Sequence, residues 1–247
     1  MKSWIYGFFM TWGMFLALPC PFPRWDEKAR GKMMVCLPFV GAIVGAIWAL
    51  AAWVLVKVNC PLPLRAAVLA AMPWLVTGFI HLDGYMDVCD AVLSRRDLAT
   101  RQKILKDSHC GAFAVICVGL LMLAQWSLFQ SGDFLLVPLA LIPVASRACA
   151  GFAVLTLRPM GTSQYAGMKR EGIRGRQIAL GVIALLACGV PVAIWGLRGL
   201  APLGAALGYC FAVWRGFKQL DGMSGDISGF ALTLGELAGA AVLILVR

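Results

Sequence analysis

Acidic residues are few: the 247-residue chain has 12 Asp and Glu against 22 Lys and Arg, and only two His. So sparse a set makes the position of each acid informative. No C-x-x-C pair occurs among the nine cysteines, which excludes the usual zinc-ribbon and redox-motif spacings. Cys117, Cys149, Cys188 and Cys210 fall in apolar runs, where a thiol acts as a small hydrophobe. There is no internal repeat or low-complexity tract, so a solenoid is excluded. Basic residues are nowhere interleaved with stacking aromatics, which argues against a nucleic-acid partner. The apolar segment 4–18 has a lone Lys2 before it, the proline-rich 19–23 after it, and no small-residue cleavage site. It reads as an aromatic-rich interfacial or re-entrant helix rather than a secretory signal.

What the chain has in abundance is apolar surface. With 61% hydrophobic residues and a mean hydropathy of +0.82, it carries more than one water-soluble core of this length would bury. Seven runs, 34–56, 64–80, 111–129, 134–157, 178–197, 200–214 and 230–246, are long enough, or nearly so, to cross roughly 30 Å of hydrocarbon. The sixth is short, rich in Gly and Pro, and the weakest. The expected fold is an all-α polytopic membrane helix bundle, with about seven transmembrane helices plus the N-terminal helix, and one membrane domain covering 1–247. The segments 19–33, 81–110, 158–177 and 215–229 hold 16 of the 22 basic residues. Seven alternating spans put all four on one face, and basic loops are retained in the cytoplasm. The expected location is the cytoplasmic (inner) membrane, with that face inward. The net charge of +10 is a topology signal first and a sign of anionic substrates second.

Of the 12 acids only Asp133 falls on the far side. Acids gathered at the mouth of a membrane bundle point to an ion or substrate site. The sharpest group is His81-Leu-Asp83-Gly-Tyr-Met-Asp87-Val-Cys-Asp90. If the second span continues as helix, Asp83, Asp87 and Asp90 share one face. Three carboxylates on one stripe repel unless a cation lies among them, and oxygen ligands without thiolates favour Mg²⁺ or Mn²⁺. Carboxylates at the C-terminal end of that helix would also oppose its dipole. The segment Lys106-Asp107-Ser108-His109-Cys-Gly111 closes the same loop. Asp107 or Ser108 either caps the next helix or takes part in the chemistry, and Lys106 is either a phosphate contact or a topology charge. In Asp221-Gly-Met-Ser224-Gly-Asp226-Ile-Ser-Gly229 a Gly-rich turn opens the last span. Its amides could cradle a phosphate, or Asp226 could cap the helix. Glu236 lies inside the last span and Arg147 inside the fourth; a structural ion pair and a phosphate-binding role for Arg147 are both open. Arg158 reads as an anion contact, and Lys169, Arg170, Arg174 and Arg176 as topology charges. Together these features point to phosphoryl transfer at the membrane surface.

The ordered strings His81-Leu-Asp83-Gly-x-x-Asp87-x-x-Asp90, Lys106-Asp-Ser108-x-x-Gly111 and Gly-x-Ser224-Gly-Asp226-x-x-Gly229, followed by Glu236, resemble the cobalamin synthase family, the adenosylcobinamide-GDP ribazoletransferases. Leu37-Pro-Phe-Val-Gly41 and Arg158-Pro-x-Gly161 extend the likeness over nearly the whole chain. The resemblance implies a Mg²⁺-dependent reaction in which α-ribazole or its phosphate displaces GMP from adenosylcobinamide-GDP. It implies that Asp83, Asp87 and Asp90 hold the metal, with Asp83 also catalytic. Asp226 or Glu236 would take the proton or hold a second ion, and Lys106, Ser108, Arg147, Arg158 and Ser224 would bind substrate. The lipid bilayer is an implied partner, and a homo-oligomer or association with other cobalamin-assembly enzymes is compatible with it. The chain departs from the family pattern with His109 where Arg is frequent, Ser224 where Thr is frequent, and Thr233 where an acid is frequent. A CDP-alcohol phosphotransferase is a rival, but its Ala-Arg after Asp-Gly is absent. A transporter would explain Arg147 and Glu236 yet leave the acid loops without a task.

Overall fold

The computed structural model describes residues 2–131, 133–161, 163 and 172–246. Among them every regular element is a helix: α1 (Lys2–Phe15), α2 (Met33–Lys57), α3 (Leu62–Val76), α4 (Ile80–Leu93), α5 (Leu98–Ile104), α6 (Ala112–Gln130), α7 (Leu136–Thr156), α8 (Ile173–Trp195), α9 (Ala201–Leu220) and α10 (Gly225–Leu245). A 3₁₀ turn over Glu27–Lys32 runs directly into α2. Lys169 and Arg170 lie outside the described residues. Five segments are long and apolar enough to cross a bilayer: Glu27–Lys57, Ala112–Gln130, Leu136–Thr156, Ile173–Gly199 and Gly225–Leu245. The chain is an integral membrane protein. A sixth segment qualifies only if α3 and α4, which meet at 93°, are taken together.

Two departures bring the count below the expected seven. The second span, expected over 64–80, stops at Val76, because Gly78 and Phe79 adopt left-handed backbone (φ 60° and 64°). The Thr77 hydroxyl donates to the Pro73 carbonyl at 2.8 Å and closes that end. The chain then restarts as α4, whose 14 residues reach only about 21 Å. With three aspartates and too little length to cross alone, α4 lies outside the spanning helices. The weak sixth run, expected over 200–214, continues to Leu220 as a 20-residue helix. Its length would suffice, but Arg215, Lys218 and several glycines lower its hydropathy.

Those glycines serve helix contact. A Cβ at Gly204 or Gly208 would stand 2.6 Å from Val242 or Ala238 of α10, and one at Gly235 would stand 2.8 Å from the Ala205 carbonyl. Small residues four apart let helix backbones approach closely, which is how helices associate where lipid removes the hydrophobic drive. On α2, Gly41 and Gly45 likewise abut the carbonyls of Pro143 and Ala140 on α7. Helices α7 and α10 are consequently central, with 50% and 67% of their apolar windows buried, against 22% for α6 and α8.

Candidate active site

The spacing of Asp83, Asp87 and Asp90 does fall on one helix, α4. Its break from α3 reverses the dipole argument, however. Asp83 stands in the first turn of α4, where a carboxylate is favoured by the helix dipole rather than opposed by it. Asp90, near the far end, is already committed. Its Oδ2 accepts from the Gly111 amide at 2.5 Å and its Oδ1 from the Ala114 amide at 3.1 Å. It therefore satisfies orphan donors at the start of α6, a cap supplied from another helix. Neither Asp107 nor Ser108 plays that part. A side chain at position 111 would collide with the Asp90 carboxylate, 2.4 Å from where its Cβ would sit. Among the described residues no three His, Cys, Asp or Glu side chains form a ready metal cluster.

What α4 meets instead is α10. A Cβ on Gly84 would lie 2.8 Å from the Asp226 carbonyl, and one on Gly229 would lie 3.1 Å from the His81 carbonyl. The two glycines allow backbone contact, which Thr233 reinforces by donating its hydroxyl to the His81 carbonyl at 3.2 Å. Ser224 caps α10, accepting from the Ile227 amide at 3.3 Å. With Ser224 as the cap, Asp226 stands in the first turn with its carboxylate free of that duty. Two helix N-termini, each carrying one aspartate in its first turn, thus converge. Between them is a pocket of about 110 Å³ lined by His81, Asp83, Asp226 and Ser228, with Phe15 of α1 and Leu37 of α2 among its apolar walls. Asp87 follows one turn later. Burial, and after it the charges of Asp83, Asp226 and Asp90, raise the Asp87 carboxyl to about 7. The acid group that interacts around this pocket is accordingly Asp83, Asp87 and Asp226.

Behind the pocket, Arg147 Nη1 donates to Glu236 Oε1 at 2.5 Å. Arg147 is fully buried and Glu236 nearly so. The ion pair left open by the sequence is therefore formed, and neither residue lines the pocket. His81 Nε2 and Arg147 Nε and Nη2 are buried without a protein partner. The His81 ring is held by stacking on Phe15, with centroids 5.9 Å apart.

The remaining candidates surround the site. Arg158 Nη2 donates to Asp221 Oδ1 at 2.5 Å and to the Asp221 carbonyl at 3.1 Å. Paired backbone bonds join this strip to the turn before α10: the Met160 amide donates to the Met223 carbonyl and the Met223 amide to the Arg158 carbonyl, each at 2.9 Å. Gly222 must be glycine there, because a Cβ would meet the Met160 backbone at 2.7 Å. Arg158 thus braces the turn that presents Asp226. Lys106 and Ser108 are exposed in the loop before α6 and do not line the pocket. Beside them, hydrogen bonds from the His109 ring and amide hold the exposed Asp107 carboxyl below its usual range.

Neither Phe15 nor the Gly84–Gly229 contact was among the features singled out from the sequence. The glycines within the two Asp-bearing motifs were the available signal for that contact. A second cavity, about 540 Å³ between α7, α8 and α9, is lined by no carboxylate among the described residues.

The family model for cobalamin-5-phosphate synthase matches residues 7–244. A protein of Clostridium perfringens (strain 13 / Type A), an adenosylcobinamide-GDP ribazoletransferase, is 39% identical over 98% of this chain and 99% of its own length. A Clostridium botulinum (strain Alaska E43 / Type E3) protein of the same name is 35% identical over 97% of each chain. Another from Citrobacter koseri is 32% identical over 89% of this chain and 92% of its own. No solved structure matches. Similarity that runs nearly end to end, and takes in the converging α4 and α10 motifs, places this membrane protein in the cobalamin-5-phosphate synthase family, among the transferases of late cobalamin assembly.

Proposed function

We propose that the chain joins adenosylcobinamide-GDP to α-ribazole or its phosphate with release of GMP, in a Mg²⁺-dependent reaction at the cytoplasmic face of the inner membrane. The observation that carries this reading is the convergence of Asp83 and Asp226, from the first turns of two helices, on one pocket. Helix N-termini attract phosphate, and carboxylates attract the cation that accompanies it. The donor set fits the ion: it is all oxygen, and its like charges disfavour ionisation of Asp87 when no cation is bound. Asp83, Asp87 and Asp226 would hold it, and it would supply charge neutralisation on the pyrophosphate.

The pocket volume of about 110 Å³ is that of about four waters at roughly 30 Å³ each. That suits a diphosphate end, while the corrinoid and the guanosine stay outside. The ribose hydroxyl oxygen bonds to the phosphorus that bears the cobinamide, the bond from that phosphorus to the GMP oxygen breaks, and GMP leaves as a phosphate monoester. Of the two carboxylates considered for the hydroxyl proton, Asp226 lines the pocket, whereas Glu236 is held by Arg147. Lys106, exposed in the loop before α6, would meet phosphate charge outside the pocket. Basic residues gathered at the site's end of the bundle support the cytoplasmic orientation.

GMP release from adenosylcobinamide-GDP plus α-ribazole phosphate by detergent-solubilised protein tests the reading. Release should require Mg²⁺ and fall by at least about 100-fold in Asp83→Ala, the scale of one lost transition-state contact, with the melting temperature unchanged. Wild-type release that survives chelation of divalent ions would refute the metal assignment. No release from well-folded wild type would refute the reaction.

A further inference from the structure

The cavity of about 540 Å³ between α7, α8 and α9 is open to the side of the bundle and apolar throughout its length. Along α7 its lining runs from Ala148 to Leu157, nine residue steps or about 14 Å. That is close to half of the roughly 30 Å hydrocarbon thickness, the depth of a single leaflet. Its mouth lies where α7 ends, α8 begins and α9 ends, on the same side as the site. Two exposed cations stand there. Arg174 precedes the lining residue Gly181 by seven positions on the same stripe of α8, and Lys218 follows the lining residue Trp214 by four on α9. Among the described residues Arg176 and Arg215 add positive charge on the same two helix ends, while Arg158 and Asp221 neutralise one another. An apolar slot one leaflet deep, beneath a net positive rim, matches a molecule with an aliphatic tail and an anionic head.

We propose that this crevice binds an acyl chain of an anionic glycerophospholipid, with Arg174 and Lys218 holding its phosphate head group. The occupant completes the packing of α8, one of the least buried spans. It lies against Leu157 and Phe217, immediately before the Arg158–Asp221 brace. Gly181 offers a clean test, because a Cβ there meets nothing within 4 Å. Gly181→Phe fills the crevice from open space without disturbing helix contacts.

The full chain in phosphatidylcholine nanodiscs is exposed to phosphatidylglycerol or phosphatidylcholine carrying a photoreactive diazirine in the acyl chain, and labelled peptides are mapped by mass spectrometry. Phosphatidylglycerol should label the peptides around Phe152–Leu157 and Leu180–Leu185 in preference to the outer face of α6 at Val115 and Leu120. Gly181→Phe should lower that labelling at least about tenfold, less than the loss of two buried CH₂ groups would give, while α6 labelling and the melting temperature hold. Arg174→Gln and Lys218→Gln should each reduce the preference for phosphatidylglycerol about fivefold, the share of one basic residue near an anionic surface. Uniform labelling of the crevice and α6, indifference to Gly181→Phe, or equal labelling by the two lipids would overturn the proposal. A crevice protected from lipid in nanodiscs that hold two copies of the chain would assign it to a second copy and overturn it too.

Discussion

Two groups of carboxylates in this bundle have opposite solutions to the same electrostatic problem. Glu236 lies deep between α7 and α10 and is matched one to one by Arg147 at 2.5 Å. Asp83 and Asp226 line the pocket between α4 and α10 with Asp87 one turn further along α4, and no basic side chain forms an ion pair with any of them among the described residues. The buried acid is compensated inside the fold. Asp83 and Asp226 are favoured by helix N-termini, Asp226 also by the Ser224 hydroxyl, and none of the three has a cationic partner among the described residues, which leaves room for a cation from outside. One group is therefore built for stability of a closed contact, the other for exchange with a ligand.

Breaking the closed pair should have the largest effect on the fold. Glu236→Ala leaves the Arg147 guanidinium buried and uncompensated, and should lower unfolding stability in detergent by about 3–5 kcal/mol. Replacing both partners, Arg147→Met with Glu236→Leu, should recover most of that loss. A double variant no more stable than the single one would show that Arg147 has another buried anionic partner. A smaller effect is expected at Asp90, which belongs to the α4 stripe yet caps α6. Asp90→Ala should cost about 1 kcal/mol, as loss of a helix cap does, while GMP release falls far less than in Asp83→Ala. An Asp90→Ala protein of normal stability and no activity would move Asp90 from the capping role to the ligand role.

A further effect, on stability against pH, sharpens the contrast from the open side. The folded Asp87 carboxyl is raised to about 7 from its ordinary 3.8, so the folded state binds the proton more tightly than the unfolded chain does. Without divalent ions, the stability of the protein should decline as pH rises through the interval between those two values, then level off above it. Added Mg²⁺ should cancel the decline and release a proton near neutral pH, measurable by calorimetry in buffers of different ionisation enthalpy. A metal-free stability that rises over the same interval would place Asp87 in a different environment.

Much of this was legible from the chain. Apolar runs disclosed the membrane helices because the bilayer demands continuous hydrocarbon length; the cap of the last helix, offered to Asp226, is instead Ser224, which leaves Asp226 in the first turn. The pairing of Arg147 with Glu236 was readable as an option, since two buried charges 89 residues apart have few alternatives in hydrocarbon. The break at Gly78 and Phe79 was not legible. Phe79 is ordinary in a helix by composition, and its left-handed backbone is held by its amide donating to the Trp74 carbonyl at 2.8 Å, a bond that residue type does not announce. For the same reason α9 looked weak: hydropathy registers its glycines as lost apolar surface and cannot register the close helix contact they permit.

The sequence by itself determined the membrane class, the gathering of acids and bases at one end, and the family, because these depend on residue type and spacing along one chain. Tertiary structure alone decided which acids share a pocket. Asp90 and Asp87 are three residues apart, yet one is engaged by amides of α6 and the other faces carboxylates. Asp226, far away in sequence, joins Asp83 because Gly84 and Gly229 let two backbones touch. Local spacing fixes the direction in which a side chain leaves its helix, but the partner it finds is set by a contact between helices that no single segment encodes.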